Sequence, residues 1–276
     1  MPVRSNKKKR GKKDPKKEAK KERYEEERLI SQRIRSAVHR AMYLESGEPR
    51  NVLDDFPVFT KYDRNGLDLS IYFDVPDNMD TELVDWALGL VRDNLKDQYI
   101  EARWGWSDGE KRQELTDKAA RYLIVRDNAN EQRPVAFAHF RFMPEGDFEV
   151  LYVFELQLED SVRRKGLGRH LMSLLELIAR KQGMKWVMLS VFKSNTAADT
   201  FYREKMKYTM DELSPSAAFL DDTAGYEILS KCMDPALKEK QQRRHPRRKR
   251  LAEGEDGEAA AGATGGGGAA SATEQA

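Results

Sequence analysis

Apolar positions along the chain fall into two rhythms, one of period two and one near 3.6. Between residues 24 and 46 they recur at Leu29, Ile30, Ile34, Val38, Met42 and Tyr43, which predicts a helix, and "SGEPRN" ends it with Gly and Pro. "LDLSIYF" (67–73) alternates as a strand. Residues 77–98 return to helical spacing, with Val84, Ala87, Leu88, Val91 and Leu95 on one face and Asp80 or Thr81 as N-cap. "RYLIVRD" (121–127), "PVAFAHFRF" (134–142) and "EVLYVFELQLE" (149–159) read as three strands, and the short polar turns between them predict an antiparallel meander. A strong amphipathic helix follows from Gly166 to Gln182, with Leu167, Leu171, Leu174, Leu175 and Ile178 on one face and Gly183 just past its end. "KWVMLSVF" (185–192) is a buried strand, 195–206 a helix and "GYEILSK" (225–231) a last strand. The pattern predicts one α+β domain over residues 24–234 with a mixed sheet, between a basic arm (1–23) that reads as disordered or loosely helical and a basic, then Gly/Ala-rich, tail (235–276) that reads as disordered.

Charge changes this picture. The net charge of +2 conceals an acidic middle between basic ends. Residues 7–23 carry eleven Lys/Arg against three acids and residues 238–250 carry eight against one, which leaves 24–237 at −9. An acidic domain suits a cationic ligand, and an acidic solubilising surface has the same composition. A mean hydropathy of −0.78 and the lack of any long apolar run give no membrane span. The N-terminus has no apolar segment of the secretory kind. One cysteine, Cys232, excludes a disulfide framework and points to a reducing compartment, and four scattered histidines show no metal-site spacing.

Candidate chemistry centres on "EVLYVFELQLEDSVRRKGLGRHL" (149–171). Glu155 interrupts an apolar strand, where a buried carboxylate is costly; by strand position alone it reads as a glutamate on a solvated face. Strict alternation puts 151, 153, 155, 157 and 159 on one face and 150, 152, 154, 156 and 158, all apolar, on the other. Downstream, Gly166 and Gly168 open a helix whose first N–H groups lack internal partners, with Arg163, Arg164, Lys165 and Arg169 around them. Such a terminus accepts phosphate oxygens, and a plain basic turn would look the same. The segment has neither the GK[ST] ending of a P-loop nor the third glycine of a dinucleotide fingerprint.

"RRKGLG" resembles the R/Q-x-x-G-x-G/A signature of the GNAT acetyltransferase superfamily. "FPVFTKYDRNGL", "VDWA", "WGWSDGEKR", "PVAFAHFRF", "EVLYVFELQLEDSVRRKGLG", "KWVMLSVFKSN" and "SPS…YEIL", over roughly residues 50–230, resemble in particular the members that acetylate histone N-termini. The resemblance implies a GNAT fold, with a mixed, mostly antiparallel sheet flanked by helices and splayed at the strand carrying Glu155. It implies acetyl-CoA as co-substrate and no metal. It implies transfer to the N-terminal amine of histone-4 and histone-2A, which begin Ser-Gly-Arg-Gly. Glu155 is then the general base. The backbone of Leu156, Gln157 and Leu158, the loop Arg164, Lys165, Gly166, Leu167, Gly168 and Arg169, and Asn195 contact the cofactor. Tyr99, Trp104, Glu145, Phe154, Ser190 and Tyr226 line the peptide site, and Asp211 and Glu212 join Glu145 as candidates for pairing the substrate arginine. Tyr202 is a candidate to protonate the departing thiolate. Phe154 departs from the pattern, since a tyrosine is expected there; water or Tyr152 would have to supply its hydroxyl. His139 and His170 read as structural.

The resemblance further implies histone tails as partners and a monomer in nucleus and cytoplasm. The clusters "KKKRGKK" and "RRHPRRKR" resemble nuclear-localisation signals and equally suit nucleic acid or the ribosome. Two other readings stand beside this one: a GNAT enzyme for lysine or a small amine, and a non-catalytic nucleic-acid- or ribosome-binding protein working through its basic arms.

Overall fold

The structure, a computed structural model, describes residues 15–218, 223–237 and 271–272. The basic clusters within 1–14 and 238–250 and the Gly/Ala-rich stretch up to residue 270 lie outside the described residues. Helix α1 (Pro15–Met42) leads into a sheet whose spatial order is β1 (Lys61–Tyr62), β2 (Leu69–Asp74), β3 (Arg121–Asp127), β4 (Arg133–Glu145), β5 (Phe148–Leu158), β6 (Trp186–Phe192), β8 (Tyr226–Cys232) and β7 (Thr209–Met210). Every neighbouring pair on this path is antiparallel except β5–β6. That parallel pair needs a crossover, and α4 (Leu167–Lys181) supplies it.

Helices cover the two faces. α2 (Thr81–Glu101) starts at Asp80, whose carboxylate accepts from the Leu83 N–H at 2.7 Å, and packs Val84, Ala87, Leu88, Val91 and Leu95 against Tyr122, Ile124 and Phe137. α4 belongs to the larger core, where its leucines and Ile178 meet Ala136, Ala138, Leu156 and Leu158, joined by Ala37, Ala41 and Met42 of α1. Period-two strands and the 3.6-period stripes of α2 and α4 produce these layers directly.

Three features depart from the sequence expectation. α1 begins at Pro15, well before residue 24, and stops at Met42; Leu29 stays 55% exposed. Alternating charges, such as Arg23–Glu27 and Glu25–Arg28, support its exposed first half without a core contact. A further helix, α3 (Asp108–Leu115), has no apolar stripe to announce it: only Lys111 and Leu115 are buried, and it is set by its cap, the Ser107 hydroxyl accepting from the Glu110 N–H. The third is a β-bulge. Phe140 pairs with Val153 and His139 with Glu155, so Phe154 has no partner on β4. The extra residue breaks strict alternation. Tyr152 and Phe154, expected on the face opposite Glu155, turn to its side, where Phe154 stacks on His139 at 5.0 Å and lies 5.3 Å from Tyr152.

Candidate active site

The β5–β6 ladder runs from Val150/Trp186 to Val153/Leu189 and stops. Beyond Val153, β5 continues alone beside β4, so its outer backbone edge is released at the residues 156–158 expected to meet the cofactor. The edge can take an extended chain: β9 (Ser271–Ala272) pairs there in parallel, Ser271 opposite Glu155 and Ala272 opposite Leu156. The splay expected at the Glu155 strand is thus present, one residue after the last β6 pair.

Glu155 is not on a solvated face: it is 0% exposed. Its Oε1 accepts from Lys111 Nζ at 3.0 Å and its Oε2 from Gln157 Nε2 at 2.7 Å. From Gln157 the chain runs on through Asn94 (2.9 Å) to Arg163 (2.7 Å), beside the glycine loop. Lys111 also donates to the Tyr99 hydroxyl at 2.6 Å and to Glu114 at 2.7 Å. Burial pulls down on the Lys111 ammonium, but the Glu155 and Glu114 carboxylates outweigh it and hold it well above the usual lysine range. Burial, helped by Glu155, pushes the Tyr99 phenol up, so it stays protonated. His139, stacked between Tyr122 and Phe154, is driven down by burial and by the charges of Arg141 and Lys111, and is neutral.

Next to this cluster stands an aromatic wall. Tyr99 meets Trp104, Trp106 and Phe192 edge-on, with centroids 4.9–5.9 Å apart. Trp104, 36% exposed, also meets Tyr226 at 4.6 Å. Tyr226 reaches it because Gly225 rests on the end of α2: a Cβ there would lie 2.6 Å from Ala102. Ser190 is buried, sharing a 2.7 Å hydrogen bond with Tyr152. Glu145 lines a small groove with Phe148, Val150, Trp186, Met188, Leu213 and Asp211, and both carboxylates help burial to push the Tyr152 phenol up. The structure therefore gathers Glu155, Tyr99, Trp104, Phe154 and Tyr226, while Glu145 and Asp211 line a groove at the β4–β5 hairpin and act on Tyr152 beside Phe154.

The glycine loop is braced from elsewhere in the chain. Gly166 is left-handed (φ 83°) and caps α4, while Leu167 and Gly168 lie buried in the first turn and Arg164 and Arg169 are exposed. The Lys165 carbonyl accepts from the Tyr62 hydroxyl at 2.5 Å and from Asn65 at 2.8 Å, and a Cβ on Gly166 would come within 2.8 Å of that hydroxyl. The N–H groups that open a 15-residue helix, flanked by basic residues, are of the kind that can accept an anion. Asn195 caps α5 (Thr196–Thr200) by accepting from the Ala198 N–H. Tyr202, in the π-turn that follows, is buried against Phe201 and Tyr208. Among the described residues no cluster of His, Cys, Asp or Glu is arranged to hold a metal ion.

Sequence reading missed Lys111, Gln157 as a partner of Glu155, and Arg141, whose guanidinium lies 4.3 Å from the Phe154 ring. Lys111 lies in "WGWSDGEKR", where a lysine among charges looks like surface; nothing but the fold reveals that it points inward.

Residues 89–208 match the profile of the "Acetyltransferase (GNAT) family". Solved structures similar to this chain include the GNAT domain of S. lividans PAT (11% identity, covering 64% of this chain and 99% of that one, TM-score 0.47). Others are the ribosomal-protein-S18-alanine N-acetyltransferase from Escherichia coli (18%, 59% and 94%, 0.40) and Ard1 from Thermoplasma volcanium (15%, 59% and 97%, 0.41). The sheet order, the parting of β5 from β6 and the glycine loop before α4 are those of the GNAT fold. The segment matched by that profile, residues 89–208, carries both Glu155 and that loop.

Proposed function

We propose that this protein is an N-alpha-acetyltransferase of the NatD type, moving an acetyl group from acetyl-CoA to the terminal amine of histone-4 and histone-2A, with Glu155 as general base. The carrying observation is a buried carboxylate, held on both oxygens, at the point where the sheet opens beside an aromatic wall. The chain's residues suit the co-substrate. The loop at Gly166–Arg169 suits a pyrophosphate, and the released β5 edge at Leu156–Leu158 suits an amide-bearing arm paired as an added strand. Acetyl-CoA supplies the activated acetyl thioester. Glu155 accepts a proton from the substrate ammonium, the freed lone pair forms the new amide C–N bond as the C–S bond breaks, and the second amine proton goes to the departing thiolate, so that CoA leaves as the free thiol. An α-amine titrates near 7.7–8.0, so a carboxylate needs only a modest pull on it at neutral pH.

Substrate choice follows from shape and charge. Tyr99, Trp104 and Tyr226 would wall off a small first side chain. The acidic spot of Glu145 and Asp211 suits an arginine further along the peptide, in keeping with the acidity of residues 24–237. Basic ends outside this domain would add contacts to nucleic acid or the ribosome.

The test is incubation with acetyl-CoA and Ser-Gly-Arg-Gly peptides, free or blocked at the N-terminus, with the acetyl position read by mass spectrometry. Modification of the free α-amine alone is expected. Equal modification of the blocked peptide would overturn this reading in favour of a lysine-directed enzyme, and no modification of either would overturn it outright.

A further inference from the structure

A fully buried glutamate is a poor candidate for a base unless something keeps it charged. Burial alone raises a carboxyl group's pKa by as much as several units, and a protonated Glu155 has no lone pair to offer an ammonium. The charged or titratable groups around it are Lys111 and Glu114 on α3, Tyr99 on α2, Tyr122 on β3, and His139 and Arg141 on β4. The tyrosines and His139 are uncharged at neutral pH. Arg141 is engaged with the Glu114 carbonyl, Asp117 and the face of Phe154. Lys111 is bonded directly to the Glu155 carboxylate.

From this arrangement we infer that Lys111 is a positioning residue for acetyl transfer: its ammonium, fixed by Tyr99 and Glu114, holds Glu155 as an aimed carboxylate ready to take the substrate's proton. The inference rests on the reading of Glu155 as the base. Lys111 is only 5% exposed and its contacts to Tyr99, Glu114 and Glu155 span 2.6–3.0 Å, so its position is determined from three sides. It does not itself accept the proton, because its neighbours keep it an ammonium. A buried ion pair is also an inefficient device for stability alone, since apolar replacements often match it.

The test compares wild type with Lys111→Met, a neutral side chain of similar length, and Lys111→Arg, which restores the charge. Two readouts are taken: the pH profile of kcat/KM with the Ser-Gly-Arg-Gly peptide, and the carboxyl carbon resonance of Glu155 in glutamate-labelled protein, assigned by its loss in Glu155→Gln. In Lys111→Met the resonance is expected to titrate at least about one pH unit higher, and the acidic limb of the profile to move with it. Activity then falls about tenfold or more at pH 6.5, with the gap narrowing towards pH 9. Lys111→Arg should recover most of the loss. If Lys111→Met does not fold, Lys111→Gln serves for both readouts. A folded neutral variant whose resonance and acidic limb stay where they are in wild type would overturn the inference. A shifted resonance in a protein that acetylates no peptide would support Lys111 as the group holding the charge and overturn the acetyl-transfer reading instead.

Discussion

The two halves of β5 have different surroundings. Phe148–Val153 is flanked by β4 and, from Val150 onward, by β6 as well, and Val150, Leu151 and Val153 are buried apolar side chains. Phe154–Leu158 keeps β4 but has lost β6, and it buries Glu155 and Gln157 as deeply as its leucines. In the first half the backbone is satisfied on both edges and side chains need only pack. In the second the edge left by β6 pairs with an extended segment, β9, at Glu155 and Leu156, and the buried polar groups are each tied into a hydrogen-bonded chain from Arg163 to Lys111. The bulge at Phe154 is the boundary. It ends strict alternation, turns Tyr152 and Phe154 towards Glu155, and coincides with the parting of the strands. Within one strand, the region built for stability and the region built for chemistry are separated by a single extra residue.

The strongest way to break this contrast is Glu155→Gln. Removing the proposed general base is expected to lower kcat by about 10²–10⁴-fold, measured with acetyl-CoA and peptide, while circular dichroism stays that of wild type. Leu151→Ala should do the opposite. Truncating a fully buried leucine in the doubly paired half costs about 2–5 kcal/mol in urea unfolding, with turnover per folded molecule unchanged. Gly166→Ala sharpens the role of the open half. A left-handed φ costs an L-residue about 1–2 kcal/mol, and the new methyl strikes the Tyr62 hydroxyl. The Michaelis constant for acetyl-CoA should rise, and adding Tyr62→Phe should recover part of it.

The smallest effect concerns His139, opposite the bulge. Its folded pKa lies well below that of an unfolded histidine, near 6.5, because of burial and then of Arg141 and Lys111. Below pH 6.5 the unfolded chain binds a proton that the folded chain refuses, so this group subtracts stability as pH falls. Its contribution is at most about 1.4 kcal/mol per pH unit. His139→Phe should flatten the stability profile between about pH 6.5 and 5, which urea titrations at several pH values would read.

The order of elements from α2 to β8 is legible in the sequence because each buries one side of a regular repeat: alternation in β3, the leucine face of α4, the Asp80 cap of α2. The glycine loop is legible for a related reason, since Gly166 stands where only a residue tolerant of positive φ fits. α3 is not legible. Its one important side chain, Lys111, is a lysine in a charged stretch, and its inward aim depends on Tyr99 and Glu155, 12 and 44 positions away in the chain. Nor is the bulge, because an inserted residue in β5 has meaning only against the register of β4. Local periodicity thus determined which segments became helix and strand and where the glycine loop before α4 lies. Tertiary packing alone decided that Glu155 is buried, which cation answers it and which neighbours share its face, because those depend on strand register and on desolvation by residues far apart in sequence.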